Sequence, residues 1–321
     1  MIKRILPVID QPISVIGLGC FAIGGYMWGE QDQRDSQEAI TAALEAGINW
    51  VDTAPLYGDG HAERVLGGLL AEIRPADRPL VATKFGHVVD AQGQRVKRAG
   101  RGDVLADCEA SLANLGVECI DLYQLHWPAP EPIAETAATC AELIAAGKVR
   151  AIGVSNVGVD ELEVWRQSGV RLASVQNYYS LYRRQDEAEI LPWCAEHDIA
   201  YLAYSPMHRG LLFGAWGPDK RFPAGDHRAE RPDFTPPRLP ILLAATQRLR
   251  ALAECHELTM AELATGALLS REGCTALIVG ARNAAQGAAL GDLGLPLKSS
   301  LLAEVEAILA ETDAALAVLP A

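Results

Sequence analysis

The run Ile120-Asp121-Leu122-Tyr123-Gln124-Leu125-His126, then Ile133–Ala146 closed by Gly147, then Arg150-Ala151-Ile152-Gly153-Val154-Ser155, decides the fold. Its outer pieces are short and apolar without strict alternation, which predicts strands buried on both faces, as in a parallel sheet. The middle piece is rich in Ala, Leu and Glu at helical spacing. It ends at a glycine able to take the left-handed closing position, with Lys148 just behind. Outward from this strand–helix–strand unit, further short runs lie at Val15–Gly19, Asn49–Thr53, Leu80–Lys84, Ala173–Asn177, Ala200–Tyr204 and Ala276–Val279, eight in all.

The intervening stretches carry helix punctuation. Asp35-Ser36-Gln37-Glu38 offers a capping group with a carboxylate three residues on, and Gly47 suits the closing position. Between them Ala39, Ile40, Ala43 and Leu44 form one apolar stripe. Eight β-then-α units with right-handed crossovers predict a (β/α)8 TIM barrel, a single domain over residues 1–321. An open doubly wound sheet fits less well, because Gly17-Leu18-Gly19 is followed by Gly24 and Gly25 and lacks the G-x-G-x-x-G spacing. Two segments fall outside the rhythm. His208–Pro240, rich in Pro, Gly, Arg and Asp, forms a long loop after strand seven of the kind that often serves as a lid. Leu301–Ala314 reads as a C-terminal amphipathic helix.

The 321 residues are 50% hydrophobic and 21% charged, which suits one large globular core. A net charge of −13 disfavours nucleic acid and anionic membranes as partners. The first ten residues hold a basic pair but no apolar stretch long enough for a signal peptide, and no later run approaches a membrane span. Seven scattered cysteines without a C-x-x-C pair predict neither a disulfide framework nor a zinc site. They read as thiols in a reducing cytoplasm.

In a barrel, catalytic groups sit at the C-terminal ends of strands. Those ends carry Asp52, Lys84 and His126, with Tyr57 five residues past Asp52. Together they suit delivery of hydride to a carbonyl, which builds negative charge on oxygen and needs a proton donor. Tyrosine is a reluctant acid, an adjacent ammonium favours its phenolate, and an aspartate holds that ammonium in place. The histidine can orient the carbonyl. Singly, Asp52 reads better as a helix cap and His126 as a core histidine, but a buried lysine without a partner is rare.

These motifs resemble the aldo-keto reductases: Val51-Asp52-Thr53-Ala54-Pro55-Leu56-Tyr57-Gly58, Ala82-Thr83-Lys84, Asp121-Leu122-Tyr123-Gln124-Leu125-His126-Trp127-Pro128, and Gly147-Lys148-Val149-Arg150-Ala151-Ile152-Gly153-Val154-Ser155-Asn156. The resemblance runs from about Ile5 to the final helix. Ala22-Ile23-Gly24-Gly25-Tyr26-Met27-Trp28-Gly29 further resembles the branch of bacterial general-stress members. It implies NADP(H)-dependent reduction of aldehydes and ketones, with NAD(H) as the alternative, and a tetrad of Asp52, Tyr57, Lys84 and His126 in which Tyr57 is the general acid. It implies that Ser155, Asn156 and Gln176 bond the nicotinamide carboxamide and that Tyr204 stacks on the ring. Ser205, Met207, Arg209 and Leu211 then follow the pyrophosphate, and Gly280-Ala281-Arg282 with Gln286 form the adenosine-phosphate region. Arg282 suits a 2′-phosphate, or is an ordinary surface arginine. Trp28, Tyr26 and Trp127 are expected to form an aromatic rim, with Trp28 and Trp127 meeting the substrate.

Cys20, Ala215, Ala289 and Leu290 depart from the family's usual Thr, Lys, Glu and Asn, which bears on cofactor affinity and preference rather than on the chemistry. The rival functions are a nicotinamide-sensing regulatory subunit with little turnover, a sugar or polyol dehydrogenase run in the oxidising direction, and an unrelated barrel enzyme. The last would need a metal or phosphate site, and the sequence offers none.

Overall fold

The computed structural model describes residues 1–25, 31–89, 92–217, 219–222, 226 and 228–319. An antiparallel hairpin, β1 (Lys3–Leu6) and β2 (Gln11–Ser14), precedes the first barrel strand β3 (Ile16–Gly19). There follow β4 (Trp50–Asp52), β5 (Leu80–Phe85), a second hairpin of β6 (His87–Val89) and β7 (Arg95–Lys97), then β8 (Ile120–Leu125), β9 (Val149–Ser155), β10 (Leu172–Tyr178), β11 (Ala200–Tyr204) and β12 (Cys274–Gly280). Eight of these close a barrel in the order β10-β11-β12-β3-β4-β5-β8-β9, each pair parallel. The expected (β/α)8 barrel is therefore observed, with all eight predicted strands in it and the C-terminal helix at Ser299–Ala317.

The barrel interior is narrow, and its side chains are chosen to fit. Small Ala82, Ala151, Ala173, Ala200 and Ala276 share one buried cluster with Trp50, Leu122, Leu202 and Ile278. Trp50 fits because Gly17 faces it: a Cβ there would lie 2.2 Å from the indole. Leu6 and Ile13 of the first hairpin enter the same cluster, so that hairpin packs on the interior from the N-terminal ends of the strands. Outside the sheet the helices bury a second, larger cluster that includes Leu18, Ile40, Val51, Leu66 and Tyr123.

The structure differs from the expectation in two local respects. The helix Gln33–Glu45 is capped by Asp32, whose carboxylate accepts from the N–H groups of Arg34 (2.7 Å) and Asp35 (3.2 Å). Ser36 lies inside that helix, buried, with its hydroxyl donated back to Asp32 O. An extended residue just before the first turn outcompetes any cap one turn later. Neither hairpin was among the predicted elements, because their strands are only three or four residues long and half exposed.

Candidate active site

The C-terminal mouth of the barrel holds a buried polar network in an otherwise apolar interior. Parallel register sets Gly19 beside Asp52, Asp52 beside Ala82, and Lys84 beside Gln124, so β3, β4, β5 and β8 bring their last residues to one level. Lys84 is fully buried, and its Nζ donates to Asp52 Oδ1 (2.6 Å) and Thr53 O (2.9 Å) and lies 3.4 Å from Tyr57 Oη. Asp52 Oδ2 accepts from Gln176 Nε2 (2.8 Å) and Gln124 Nε2 (3.3 Å). A buried ion pair is tolerable only when its remaining lone pairs and protons are satisfied, and these amides supply that.

Tyr57 is carried on a tight turn. Gly58, Asp59 and Gly60 all have positive φ, and a Cβ on Gly58 would lie 2.4 Å from Gly24 O, so the turn packs directly on the first loop. The β6–β7 hairpin anchors it from the other side: Arg95 donates to Leu56 O (3.2 Å) and pairs with Asp59 (2.7 Å). The phenol ring meets Phe21 at 5.0 Å and His126 edge-on at 6.0 Å between centroids. His126 in turn meets His87 of β6 at 4.9 Å, also edge-on.

Electrostatics assign a protonation state to each partner. Burial, and then the Asp52 carboxylate, push the Tyr57 phenol well above its usual range. The expectation that Lys84 would lower it is thus reversed in the protein alone. The ammonium is neutralised at 2.6 Å by Asp52, so desolvation outweighs what remains of its field. His126 is driven well below the usual imidazole range by burial, then by Lys84, His87 and Lys97, and His87 falls to about 4 by burial and by Lys97 and Arg95. The site at neutral pH is a protonated phenol beside a neutral imidazole.

The other predicted residues surround this centre. The Ser155 hydroxyl donates to Gln176 O (2.6 Å), and Asn156 Nδ2 donates to His126 O (2.9 Å) and Ser155 Oγ (3.0 Å). Asn156 Oδ1 accepts from Tyr204 Oη (2.7 Å), and the Tyr204 ring stacks on Tyr178 at 5.5 Å. Asn156, Ser205, His208 and Arg209 all have positive φ, a clustering of strained non-glycine backbone typical of functional sites. Met207 and Leu211 are buried in the core. At the end of β12, Gly280 is exposed, Arg282 Nε donates to Gln31 Oε1 (2.7 Å), and Gln286 Oε1 accepts from Arg282 N (2.9 Å). A cleft of about 1010 Å³ opens beside Trp127, Asn156, Tyr178 and Tyr204, walled by the segment 230–238. Trp127 is covered by Lys97 at 4.6 Å. Trp28 lies outside the described residues.

Sequence reasoning missed Gln124, His87, Arg95 and Asp59. Gln124 left a signal, a polar residue inside a strand buried on both faces. The other three left none, because only the fold brings the hairpin to the Tyr57 turn.

Barrels of this topology gather catalytic groups at the C-terminal mouth, where this chain buries its Lys84–Asp52 pair: the design is that of a barrel enzyme. Comparison then gives its kind. The aldo/keto reductase family model matches residues 15–310, and the chain belongs to that family. It is 38% identical over 303 residues to the aldo-keto reductase YhdN of Bacillus subtilis, covering 93% of this chain and 91% of that one. It is 33% identical to the NADH-specific methylglyoxal reductase of Escherichia coli, over 88% of this chain and 90% of that one. The solved glycerol dehydrogenase of Gluconobacter oxydans superposes with a TM-score of 0.90 at 36% identity, covering 97% of this chain and 95% of that one. The chain is accordingly an oxidoreductase of the carbonyl–alcohol kind, a class that works with nicotinamide cofactors.

Proposed function

We propose that this protein reduces aldehydes and ketones to alcohols with NADP(H), acting as a single domain in the cytoplasm, with Tyr57 as proton donor. The observation that carries the reading is the position of Lys84 Nζ, 2.6 Å from Asp52 and 3.4 Å from the Tyr57 hydroxyl at full burial. When bound, the cofactor supplies the hydride. Tyr57 holds the proton that the carbonyl oxygen takes up, and Lys84 stabilises the phenolate that forms as the proton leaves. Asp52 keeps the lysine charged and in place. His126, neutral, offers a hydrogen bond to the carbonyl oxygen without competing as an acid.

The residues at the mouth fit a nicotinamide. Tyr204 gives an aromatic platform whose opposite face rests on Tyr178. The Gln176 amide suits the carboxamide, with Ser155 and Asn156 beside it. Ser205, the backbone at Met207 and Leu211, and Arg209 would follow the diphosphate, and Gly280, Arg282 and Gln286 the adenosine end. Arg282 stands at the adenosine end, where a guanidinium suits a 2′-phosphate, which is the reason for preferring NADP(H), although the Escherichia coli relative is NADH-specific. Trp127 and Trp28 would meet the substrate. The cytoplasmic location rests on the scattered cysteines; among the described residues no helix is long and apolar enough to cross a membrane.

Replacing Tyr57 by Phe tests the assignment. Cofactor binding, followed by fluorescence, should be retained, and turnover of an unactivated aldehyde should fall about 10²–10⁴-fold. Near-normal turnover would remove Tyr57 from the role of acid.

A further inference from the structure

Glu63 is fully buried and, among the described residues, has no ion pair. It stands in the first turn of the helix His61–Glu72, where an acidic side chain ordinarily serves the free N–H groups of the helix start or meets water. Here both oxygens are taken up by side chains of other elements. Oε1 accepts from the Thr83 hydroxyl (2.6 Å), and Oε2 accepts from Asn114 Nδ2 (3.0 Å). A carboxylate met only by neutral donors is costly to bury, and an apolar side chain of similar size would fill the space at less cost. Packing alone does not account for it.

This carboxylate joins the two halves of the reaction centre. Thr83 precedes Lys84 on β5. Successive side chains of a strand face opposite ways, so Lys84 enters the barrel while Thr83 meets the helix layer. The helix that carries Glu63 begins four residues after Tyr57, and its start holds that residue directly. Ala62 N donates to Tyr57 O (3.2 Å), and Gly60 N donates to Pro55 O (2.8 Å). Asn114, near the end of the helix Arg101–Leu115, is wedged against this entry. A Cβ on Gly60 would lie 2.7 Å from Asn114 Nδ2, and one on Gly67 would lie 2.4 Å from Asn114 O. Glu63 thus closes a short path from the Tyr57 backbone, through one helical turn and one hydrogen bond, to the residue beside Lys84.

We propose that Glu63 and Thr83 are positioning residues that fix the spacing of Lys84 Nζ and Tyr57 Oη at 3.4 Å. Neither touches the reacting atoms. They act through the backbone: β5 places Lys84, the turn before the helix places Tyr57, and the Thr83–Glu63 bond sets one against the other. Arg95 holds the same turn from its outer side through Leu56 O and Asp59, so loss of the Glu63 bond leaves the turn tied on one side only. The ammonium has to meet the phenolate as the proton leaves, so the spacing bears on the rate of chemistry and not on cofactor binding. The inference rests on the roles of Tyr57 and Lys84 given above and adds the residues that align them.

The variants are Thr83→Val, which keeps the shape and loses the hydroxyl, Thr83→Ser, which keeps the hydroxyl, and each of these with Tyr57→Phe. Hydride transfer from NADPH to 4-nitrobenzaldehyde is followed in single turnovers by cofactor fluorescence, with KM and cofactor Kd measured beside it. A misplacement of about 1 Å can cost on the order of 10²-fold, and a turn still held by Arg95 should move by less. Thr83→Val should therefore slow hydride transfer about 10-fold, with KM and cofactor Kd within about twofold. Thr83→Ser should stay within about twofold of wild type throughout. Combined with Tyr57→Phe, which leaves no phenol to align, Thr83→Val should cost nothing further. Wild-type rates in Thr83→Val, Thr83→Ser as slow as Thr83→Val, or losses that multiply in the double variant would overturn the role and leave the reductase reading intact. That reading fails separately, through normal turnover in Tyr57→Phe. The crystal structure of Thr83→Val decides without any turnover: the Lys84 Nζ–Tyr57 Oη spacing should lengthen past hydrogen-bond reach, and an unchanged 3.4 Å would overturn the proposal. Should Thr83→Val not fold, Glu63→Gln, which keeps the volume and one acceptor, takes its place in the same comparison.

Discussion

Lys84→Met removes the ammonium from the centre of the network while keeping much of its volume. Asp52 then remains as a carboxylate with 3% side-chain exposure and only the two amides of Gln176 and Gln124 against it. Breaking a buried pair from one side typically costs about 3–5 kcal/mol, because the surviving charge is left desolvated. A loss of that size is a large share of the roughly 5–15 kcal/mol that holds a protein folded. Lys84→Met/Asp52→Asn, which removes both charges, should recover most of the stability. The catalytic effect is separate. At 3.4 Å and an effective dielectric near 20, an ammonium stabilises an adjacent phenolate by roughly 5 kcal/mol, and the Asp52 charge takes back a part. A net 3–4 kcal/mol corresponds to a drop of about 10²–10³-fold in turnover, and the double variant should not regain it. Urea unfolding of wild type and the two variants, together with kcat for an aldehyde, measures both. A single variant that loses under about 1 kcal/mol, with no rescue by Asp52→Asn, would refute the electrostatic account.

Arg282→Ala should weaken NADPH by roughly 1.5–3 kcal/mol and leave NADH nearly unchanged, as fluorescence titration with each would report; equal losses would mean a structural role. Burial and Asp52 hold Tyr57 protonated, and the reductive direction needs that proton, so kcat for reduction should stay level through neutral pH and fall only on the alkaline side, above the ordinary phenol range. His126 and His87 are both pushed down and stay neutral from about pH 6 upward, so a limb between pH 6 and 8 in that profile, with an isotope effect showing that chemistry limits, would contradict the assigned states. Gly17→Ala places a methyl 2.2 Å from the Trp50 ring inside the barrel, and thermal or urea unfolding should show a loss of about 1–3 kcal/mol; an unchanged midpoint would mean that the interior can repack.

The long loop after β11 is tied to the Tyr178–Tyr204 stack through His208. Its buried ring lies within 3.0 Å of Tyr178 Oη and 2.9 Å of Ser180 Oγ, with Asp233 of the loop at 3.3 Å on the far nitrogen. Tyr178 carries both the Tyr204 stack and the Arg183 guanidinium, so the order of this segment bears on the stack and the cleft together.

The eight strands, the barrel they close and the placement of Asp52, Lys84 and His126 at adjacent strand ends were all legible in the amino-acid order. These features are local: apolar runs, helix stops and strand ends are written within a few residues of one another, and a parallel barrel turns such order directly into proximity. What lies between those residues emerged only on folding. Gln124 and Gln176 reach Asp52 from 72 and 124 positions away and complete a buried ion pair that two charges alone would not sustain. The short β6–β7 hairpin, too brief to show a periodicity, anchors the Tyr57 turn through Arg95 and places His87 against His126. The direction of the Tyr57 shift was likewise beyond the sequence. A lysine near a tyrosine implies a lowered phenol, but the outcome depends on how deeply both are buried and how closely an aspartate neutralises the lysine, and burial and distance exist only once the chain has folded.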